Sequence, residues 1–251
     1  MNGRAEQMRH AISPFSSQHK WELKWRRIPS RELSKQRPGM VLDTNSRKER
    51  KALERIASVG LIEGNQLQQI FKLKKPQIRR MESFNLILKH FIRKNGQDIP
   101  FYTLGPASAE KIVPRFVPNY WVEYRAEDVL NRFIFFRLYD LLKDQKAYVR
   151  TAPKPFTGAL ELNGNLLYVY CTRGDTKDLQ MLLKWKPFTD RMIIVTEHIQ
   201  YLKPLDIFLQ DRKLKVRVIT DEQLLRESPQ FYTYKENEDK VFEWMLESSG
   251  Q

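Results

Sequence analysis

The sequence predicts an α+β protein in two parts: three helices and a β-hairpin, then a mixed sheet covered by helices. Three observations lead to this prediction: a positive charge confined to the N-terminal part, helical spacing that ends in an Asn-Gly hairpin signal, and helix and strand patterns that alternate afterwards. We predict a basic flexible arm over 1–45, a helical unit over 46–113 and an α/β unit over 120–251. The proline-bracketed stretch at 114–119 is the predicted linker.

The positive charge of the chain lies entirely in its first 95 residues. Residues 1–45 contain nine basic and four acidic side chains, and residues 46–95 contain thirteen basic and four acidic ones. Residues 96–251 contain 22 of each, so the net charge of +14 belongs to the N-terminal part. Such an asymmetry predicts a polyanionic partner for that part, and nucleic acid is the commonest such partner.

The composition excludes several other classes of protein. Cys171 is the single cysteine, so one chain forms neither a disulfide nor a thiolate zinc site. The four histidines, His10, His19, His90 and His198, lack the spacing of metal ligands, and no glycine-rich phosphate loop occurs. We therefore predict no metal and no cofactor. The absence of a signal-peptide pattern and of an apolar membrane-length run predicts a cytoplasmic protein without membrane contact.

The arm is polar, basic and interrupted by prolines. Trp21 and Trp25 are four residues apart among basic side chains, which predicts an amphipathic turn of helix. We expect the two tryptophans to hold the arm against a folded unit, whereas the bases contact phosphates or the minor groove. These bases are Lys24, Arg26 and Arg27.

The regular part begins with two helical patterns. Ser46 and Glu49 form a capping-box pattern at the start of the first helix, which Gly60 is predicted to end. Asn65 is predicted to cap a short second helix that ends at Phe71.

A third helix is predicted from Pro76 to about His90, since proline suits a first helical turn. Ile78, Met81 and Leu88 are on its predicted buried side. Its opposite side is strongly cationic near the start. The predicted contact residues there are Lys74, Lys75, Gln77, Arg79 and Arg80.

Asn95-Gly96 separates two apolar-rich runs, at 91–94 and 99–104, and this is a strong hairpin signal. Three helices followed by a hairpin is the plan of a winged helix-turn-helix, in which the third helix enters the major groove of double-stranded DNA. Arg93 and Lys94 on the hairpin wing are then expected to contact the DNA backbone.

The second half predicts a mixed sheet with helices on its faces. Its first helix, Glu123 to Leu142, is apolar on more than one side, which indicates a core helix or the interface of a homodimer. Winged proteins commonly bind as dimers, so we expect a homodimer and locate its interface on this helix. Strands are predicted at 148–150, 159–162, 166–170, 192–195 and 214–219, and helices at 178–186, 205–210, 221–226 and 238–246.

This layout resembles the replication-relaxation family of plasmid and mobile-element proteins, which combine a winged helix with a domain similar to the restriction-endonuclease core. The matching stretches are 52–104, 148–169 and 192–219. The resemblance implies a role in replication, transfer or transcriptional control of such an element, with a replication, relaxase or transcription protein as a possible partner.

The resemblance also makes a demand on the residues of the second and third strands. Active members carry an acidic residue at the start of the second strand and an acid–x–lysine triplet on the third, which together hold a divalent metal. Thr157 stands where the first acid belongs, and Tyr170, Cys171 and Thr172 stand where the triplet belongs. We therefore expect a nuclease-like domain without enzymatic activity, used for assembly or binding.

Two alternatives remain open at this stage. One is a DNA nuclease whose active site has migrated to Glu161, Asp175 and Lys177. The other is a protein-docking subunit of a replication or transcription complex, because small winged units also serve as docking modules.

Overall fold

The computed structural model describes residues 12–29, 46–186, 188, 190–212, 214–236 and 242–247. The predicted α+β class is confirmed, with two β-sheets. The α-helices are α1 (Arg47–Val59), α2 (Gly64–Phe71), α3 (Lys75–Ser83), α4 (Pro106–Ile112), α5 (Ala126–Leu142), α6 (Lys177–Trp185), α7 (Asp206–Arg212) and α8 (Asp221–Leu224). The strands are β1 (Trp21–Lys24), β2 (Leu61–Glu63), β3 (Ile87–Lys94), β4 (Gln97–Leu104), β5 (Tyr148–Arg150), β6 (Gly158–Leu162), β7 (Asn165–Thr172), β8 (Arg191–Thr196), β9 (Val216–Thr220), β10 (Tyr232–Glu236) and β11 (Phe242–Leu246). Short 3₁₀ helices precede α5, follow it and precede α7.

The first sheet has the strand order β1-β3-β4-β2, and every pair in it is antiparallel. β3 and β4 form the predicted hairpin, although its strands are longer than the sequence indicated. Asn95 and Gly96 both have positive φ, 49° and 85°, which is the conformation that a tight two-residue hairpin turn requires.

The third helix is shorter than predicted. α3 ends at Ser83, and Asn85 then takes a positive φ of 53°, which breaks the helical path. Leu88 and His90, predicted as helical, are instead buried residues of β3. The apolar residues that the sequence assigned to the end of the third helix therefore belong to strand β3.

Part of the predicted flexible arm is a strand. Trp21, Leu23 and Trp25 are half-buried, whereas the residues between them are exposed, which is the period of a β-strand and not of the amphipathic helical turn predicted there. β1 pairs with β3 in the register Trp21↔Lys94, so a partner distant in sequence determines this conformation. The rest of the arm, 1–11 and 30–45, lies outside the described residues.

The predicted helix boundaries are partly right. Gly60 ends α1 with a φ of 105° as predicted, but Ser46 at its start makes no capping hydrogen bond and the predicted capping box is absent. The second helix begins at Gly64 rather than after Asn65, since the backbone N–H of Glu63 donates to Oε1 of Gln66 at 3.2 Å.

The second sheet has the strand order β11-β10-β9-β8-β7-β6-β5. β5, β6 and β7 form an antiparallel meander, and β8 and β9 continue the sheet in parallel with β7. The sequence predicted the strands from β5 to β9, but its helix at 238–246 is wrong where the structure describes it. Phe242–Leu246 is strand β11, which pairs with β10 through aromatic contacts such as Tyr234 with Trp244.

Helix α5 lies between the two sheets. Phe133 of α5 packs with Phe101 of the first sheet, whereas Phe135 and Phe136 pack in the same core as Leu160 of the second. The dimer interface predicted on this helix is therefore wrong, because both its apolar sides are covered within the chain. Large apolar side chains are exposed elsewhere, for example Met181, Trp185 and Ile207 on α6 and α7.

No helix in the described part of the chain combines the length and the hydrophobicity that crossing a bilayer requires.

Candidate nucleic-acid interface

Helix α3 presents one face to the core and one to solvent. Pro76 is in its first turn, and the backbone N–H of Lys74 is capped by Oε1 of Gln77 at 2.9 Å. Ile78 and Met81 are buried and fix the rotation of the helix about its axis. Arg79, which follows Ile78, therefore points away from the core.

Three basic side chains form an exposed cluster at the start of α3, which we call the α3 cation cluster: Lys74, Lys75 and Arg79. Within the described residues, no ion pair or side-chain hydrogen bond engages these three groups. Gln77, which the sequence placed among the contacts, uses its carbonyl oxygen for the cap described above. The cluster is thus a concentration of uncompensated positive charge on a rigid helix, as an anionic partner requires.

Arg80 differs from its neighbours because it is already paired. Its Nη2 donates to both carboxylate oxygens of Glu49 at 2.7 Å, and Glu49 is buried in the first turn of α1. A buried carboxylate needs such a partner. Arg80, predicted as a DNA contact, therefore also joins α3 to α1.

The wing bases are also engaged. Arg93 Nε lies 2.7 Å from Oδ1 of Asp98 across the hairpin, and Lys24 Nζ of β1 lies 3.7 Å from Oδ2 of the same carboxylate. The hydrogen bond from Arg93 lowers the pKa of Asp98. Lys94 Nζ donates to the backbone carbonyl of Pro14 at 2.9 Å, and burial lowers its pKa. These predicted contact residues hold the arm on the wing, and part of their charge is neutralised within the chain.

The arm brings two further predicted bases close to α3. Nη1 of Arg26 lies 4.0 Å from Oε1 of Glu82 on α3, and Arg27 is exposed beside it. Ile28 anchors this stretch, since its N–H donates to Oδ1 of Asn119 at 2.7 Å. The structure therefore places Arg26 at the end of α3 that is opposite the cation cluster.

The buried His90 of β3 binds the arm through its imidazole ring. Its Nδ1 accepts the backbone N–H of Arg26 at 3.0 Å, and its Nε2 lies 2.9 Å from the Thr103 hydroxyl, so the ring is neutral with its proton on Nε2. Trp25 and Trp121 pack against the ring with centroids 5.2 Å away. Burial, reinforced by the charge of Arg26, lowers the pKa of His90 from 6.5 to about 3.

This geometry predicts an acid-sensitive protein. Unfolded His90 takes up a proton near pH 6.5 and folded His90 only near pH 3, so the unfolded state binds more protons between these values. Stability therefore falls as the pH drops below 6.5. From about pH 7 to about pH 5 the His90 contribution to the free energy of unfolding should fall by about 2 kcal/mol. Urea unfolding should show a smaller pH-dependent loss for His90→Gln, and an identical loss in both proteins would contradict the assignment.

A cleft of about 500 Å³ lies where β7 ends, between the start of α5 and the start of α6. Charged side chains of both signs line it, among them Arg125, Lys154, Asp175 and Lys177. Thr157 lies in its wall, and its hydroxyl accepts the backbone N–H of Cys171 at 3.3 Å. Burial raises the pKa of the Cys171 thiol to about 12, so this cysteine is protonated and unreactive at neutral pH.

The residues expected at the acid–x–lysine triplet do not share one environment. Cys171 belongs to the core that faces α5, whereas Tyr170 packs on the other side of the sheet and donates to Asp178 at 2.6 Å. Thr172 donates to the backbone carbonyl of Asp175 at 2.7 Å. The next residue on the Cys171 side, Arg173, is bound through both terminal nitrogens to Asp221.

The residues of the alternative nuclease site do not come together. Asp175 and Lys177 line the cleft, but Glu161 does not and instead lies 2.6 Å from Nη2 of Arg150. Glu161 pairs with Leu166 near the start of β7, whereas Asp175 follows the end of that strand. Because a strand rises about 3.3 Å per residue, roughly 20 Å of sheet separates them.

Several residues that matter here were not singled out from the sequence. The sequence predicts a capping role for Glu49 and a helical position for His90, and it predicts no role for Asp98 or Asp221. Glu49 carried a signal, since it is the one acid among four bases at the start of α1. Asp98 carried a signal too, since a hairpin turn at Asn95-Gly96 places it opposite Arg93. The partners of His90 and Asp221 lie on distant elements of the fold, and no local pattern indicates them.

Comparisons of the chain with protein-family models, with curated proteins and with solved structures return no match.

Proposed function

We propose that the chain is a non-enzymatic protein that binds double-stranded DNA, with α3 in the major groove. In the roles that the sequence resemblance implies, it would act in the replication, transfer or transcriptional control of a plasmid or mobile element. The α3 cation cluster is the single observation that carries this proposal. Three exposed bases on one helix, with no ion pair or side-chain hydrogen bond to any other described residue, match what phosphate and base contacts require.

The order of the first elements supports a winged helix-turn-helix. α1, β2, α2 and α3 precede the β3–β4 hairpin, and β2 pairs with β4 to complete a small sheet beneath the helices. In such a unit the exposed face of the third helix reads the groove and the wing lies on the backbone. Four of the predicted contact bases of the wing and arm have partners within the chain: Lys24 and Arg93 at Asp98, Lys94 at Pro14 and Arg26 at Glu82. The fifth, Arg27, is exposed.

The second sheet supports the proposed likeness to a restriction-endonuclease core. A helix leads into an antiparallel meander, β5 to β7, and a further helix connects it to the parallel strand β8. The residues present do not fit the divalent metal of that fold. Thr157, directly before β6, and Tyr170, on β7, stand where the carboxylates are needed, and neither supplies a negatively charged oxygen ligand. We propose that this part serves assembly or binding instead of cleavage.

Two single variants test the assignment of α3. We expect Arg79→Ala to weaken binding to the preferred site by about 10- to 100-fold, since a base contact is worth about 1 to 3 kcal/mol. Arg26→Ala should lower affinity for all duplexes alike and reduce the dependence on salt by about one phosphate contact. Fluorescence anisotropy on specific and random duplexes over a salt series measures both effects. Equal losses on specific and random DNA for the two variants would exclude α3 as the reading helix.

A further inference from the structure

The first five residues of α1 include four basic side chains, which we call the α1 basic face: Arg47, Lys48, Arg50 and Lys51. All four are exposed, and no ion pair within the described residues engages them. The intervening residue, Glu49, is fully buried and points inward. The charge that this helix presents to solvent at its start is therefore purely positive.

This arrangement works against the stability of α1. The start of a helix carries a partial positive charge, so cations there are unfavourable by about 0.3 to 1 kcal/mol each. Arg47 and Lys51 are also a like-charge pair at i, i+4, which is unfavourable. The last turn of α1, where bases would stabilise the helix, contains none. Folding alone does not account for the placement of these four charges.

The α1 basic face is adjacent to the proposed reading helix. The ion pair between Glu49 and Arg80 joins the first turn of α1 to α3, and the bases on either side of Glu49 are Lys48 and Arg50. The helix that carries the α1 basic face is therefore joined at its first turn to the helix that carries the α3 cation cluster.

We propose that the α1 basic face binds the phosphate backbone of the same DNA, outside the groove that α3 reads. This inference rests on the proposed function and adds a second, sequence-independent contact to it. Phosphate contacts position a protein and contribute affinity without reading bases. The α1 basic face should therefore contribute to the affinity for every duplex, whereas Arg79 should determine the preference for one DNA sequence over another.

The test compares two fourfold variants of equal charge. R47Q/K48Q/R50Q/K51Q removes the α1 basic face, and K146Q/K203Q/K215Q/K235Q removes four exposed lysines from the second half. We expect the first variant to reduce the slope of log affinity against log salt by about 3.6, since each of the four phosphate contacts contributes about 0.9. Its preference for specific over random duplex should be retained. The control variant should have the slope of the unmodified protein.

Thermal unfolding of the first variant separates lost contacts from lost structure. Its midpoint should be unchanged or higher, because unfavourable charges are removed, and a lower midpoint would contradict the argument. An unchanged slope, or an equal loss in the control, would overturn the inference while Arg79→Ala still reports on the proposed function. If the unmodified protein binds no duplex in a salt-dependent way, the proposed function itself fails.

Discussion

Replacing Asp221 with alanine should lower the free energy of unfolding by about 3 to 5 kcal/mol. The side chains of Asp221 and Arg173 are each only 1% exposed, and the carboxylate accepts hydrogen bonds from both terminal nitrogens of the guanidinium. The Ser13 hydroxyl also donates to this carboxylate. Removing it leaves Arg173 charged, buried and without compensation, which is the costly way to break such a pair.

A double variant provides the control for this prediction. R173M/D221L replaces both charges with apolar groups and should be more stable than Asp221→Ala alone, because no buried charge remains. Ser13→Ala should cost only about 1 kcal/mol, the usual contribution of one hydrogen bond. Urea unfolding measures all three variants. A loss of less than about 1 kcal/mol for Asp221→Ala would show that the pair is not buried as described.

Phe135→Ala should also cost about 3 to 5 kcal/mol, since it deletes a fully buried ring from the core. Phe135 lies on α5, the helix between the two sheets, and its ring is in contact distance of Gly158 on β6. We expect the loss to appear in both halves of the chain, because α5 also carries Phe133 against the first sheet.

Amide hydrogen exchange distinguishes a shared core from two separate ones. Protection of β4 and of β8 should fall together in Phe135→Ala, since both sheets lose the same central helix. Ile207→Ala, an exposed residue of α7, is the matched surface control and should change neither. A loss confined to the second sheet would indicate that the halves unfold independently, as the linker predicted at 114–119 suggested.

Local patterns predicted much of this fold. Apolar spacing and Gly60 identified α1, and Asn95-Gly96 identified the β3–β4 hairpin, because their information lies within a few residues. The meander from β5 to β7 was predicted for the same reason. In each of these elements, the residues whose pattern predicts the helix or strand lie within that helix or strand or in its turn.

Features that depend on distant partners were not predicted. β1 forms by pairing with the edge of β3, about 70 residues away in the sequence. α3 ends at Ser83 because the residues that follow it pair in β3. The ion pair between Glu49 and Arg80 joins residues 31 positions apart in the sequence, and the pair between Arg173 and Asp221 joins residues 48 positions apart. Similarly, the sequence shows that α5 is apolar on more than one side, but it does not show that the two sheets of the same chain cover those sides.

The candidate site was predicted in part. Lys74, Lys75 and Arg79 stand together on one exposed helix face, as their spacing in the sequence indicated. Arg80, Arg93, Lys94 and Lys24 have partners within the chain, which the charge count could not reveal. The predicted contact bases that the structure describes are therefore divided between bases that hold the fold together and bases that are available to a partner.

Acetylation footprinting of lysines tests the central claim most directly. The unmodified protein is treated with a lysine-specific acetylating reagent, with and without a saturating random duplex at low salt, and the extent of modification is read by mass spectrometry. We predict that DNA protects Lys74 and Lys75 on α3 and leaves Lys203 and Lys215 of the second half unchanged. All four lysines are exposed in the free chain, so they start from comparable reactivity. Protection of Lys203 and Lys215 with none at Lys74 and Lys75 would contradict the claim that this chain binds DNA through α3.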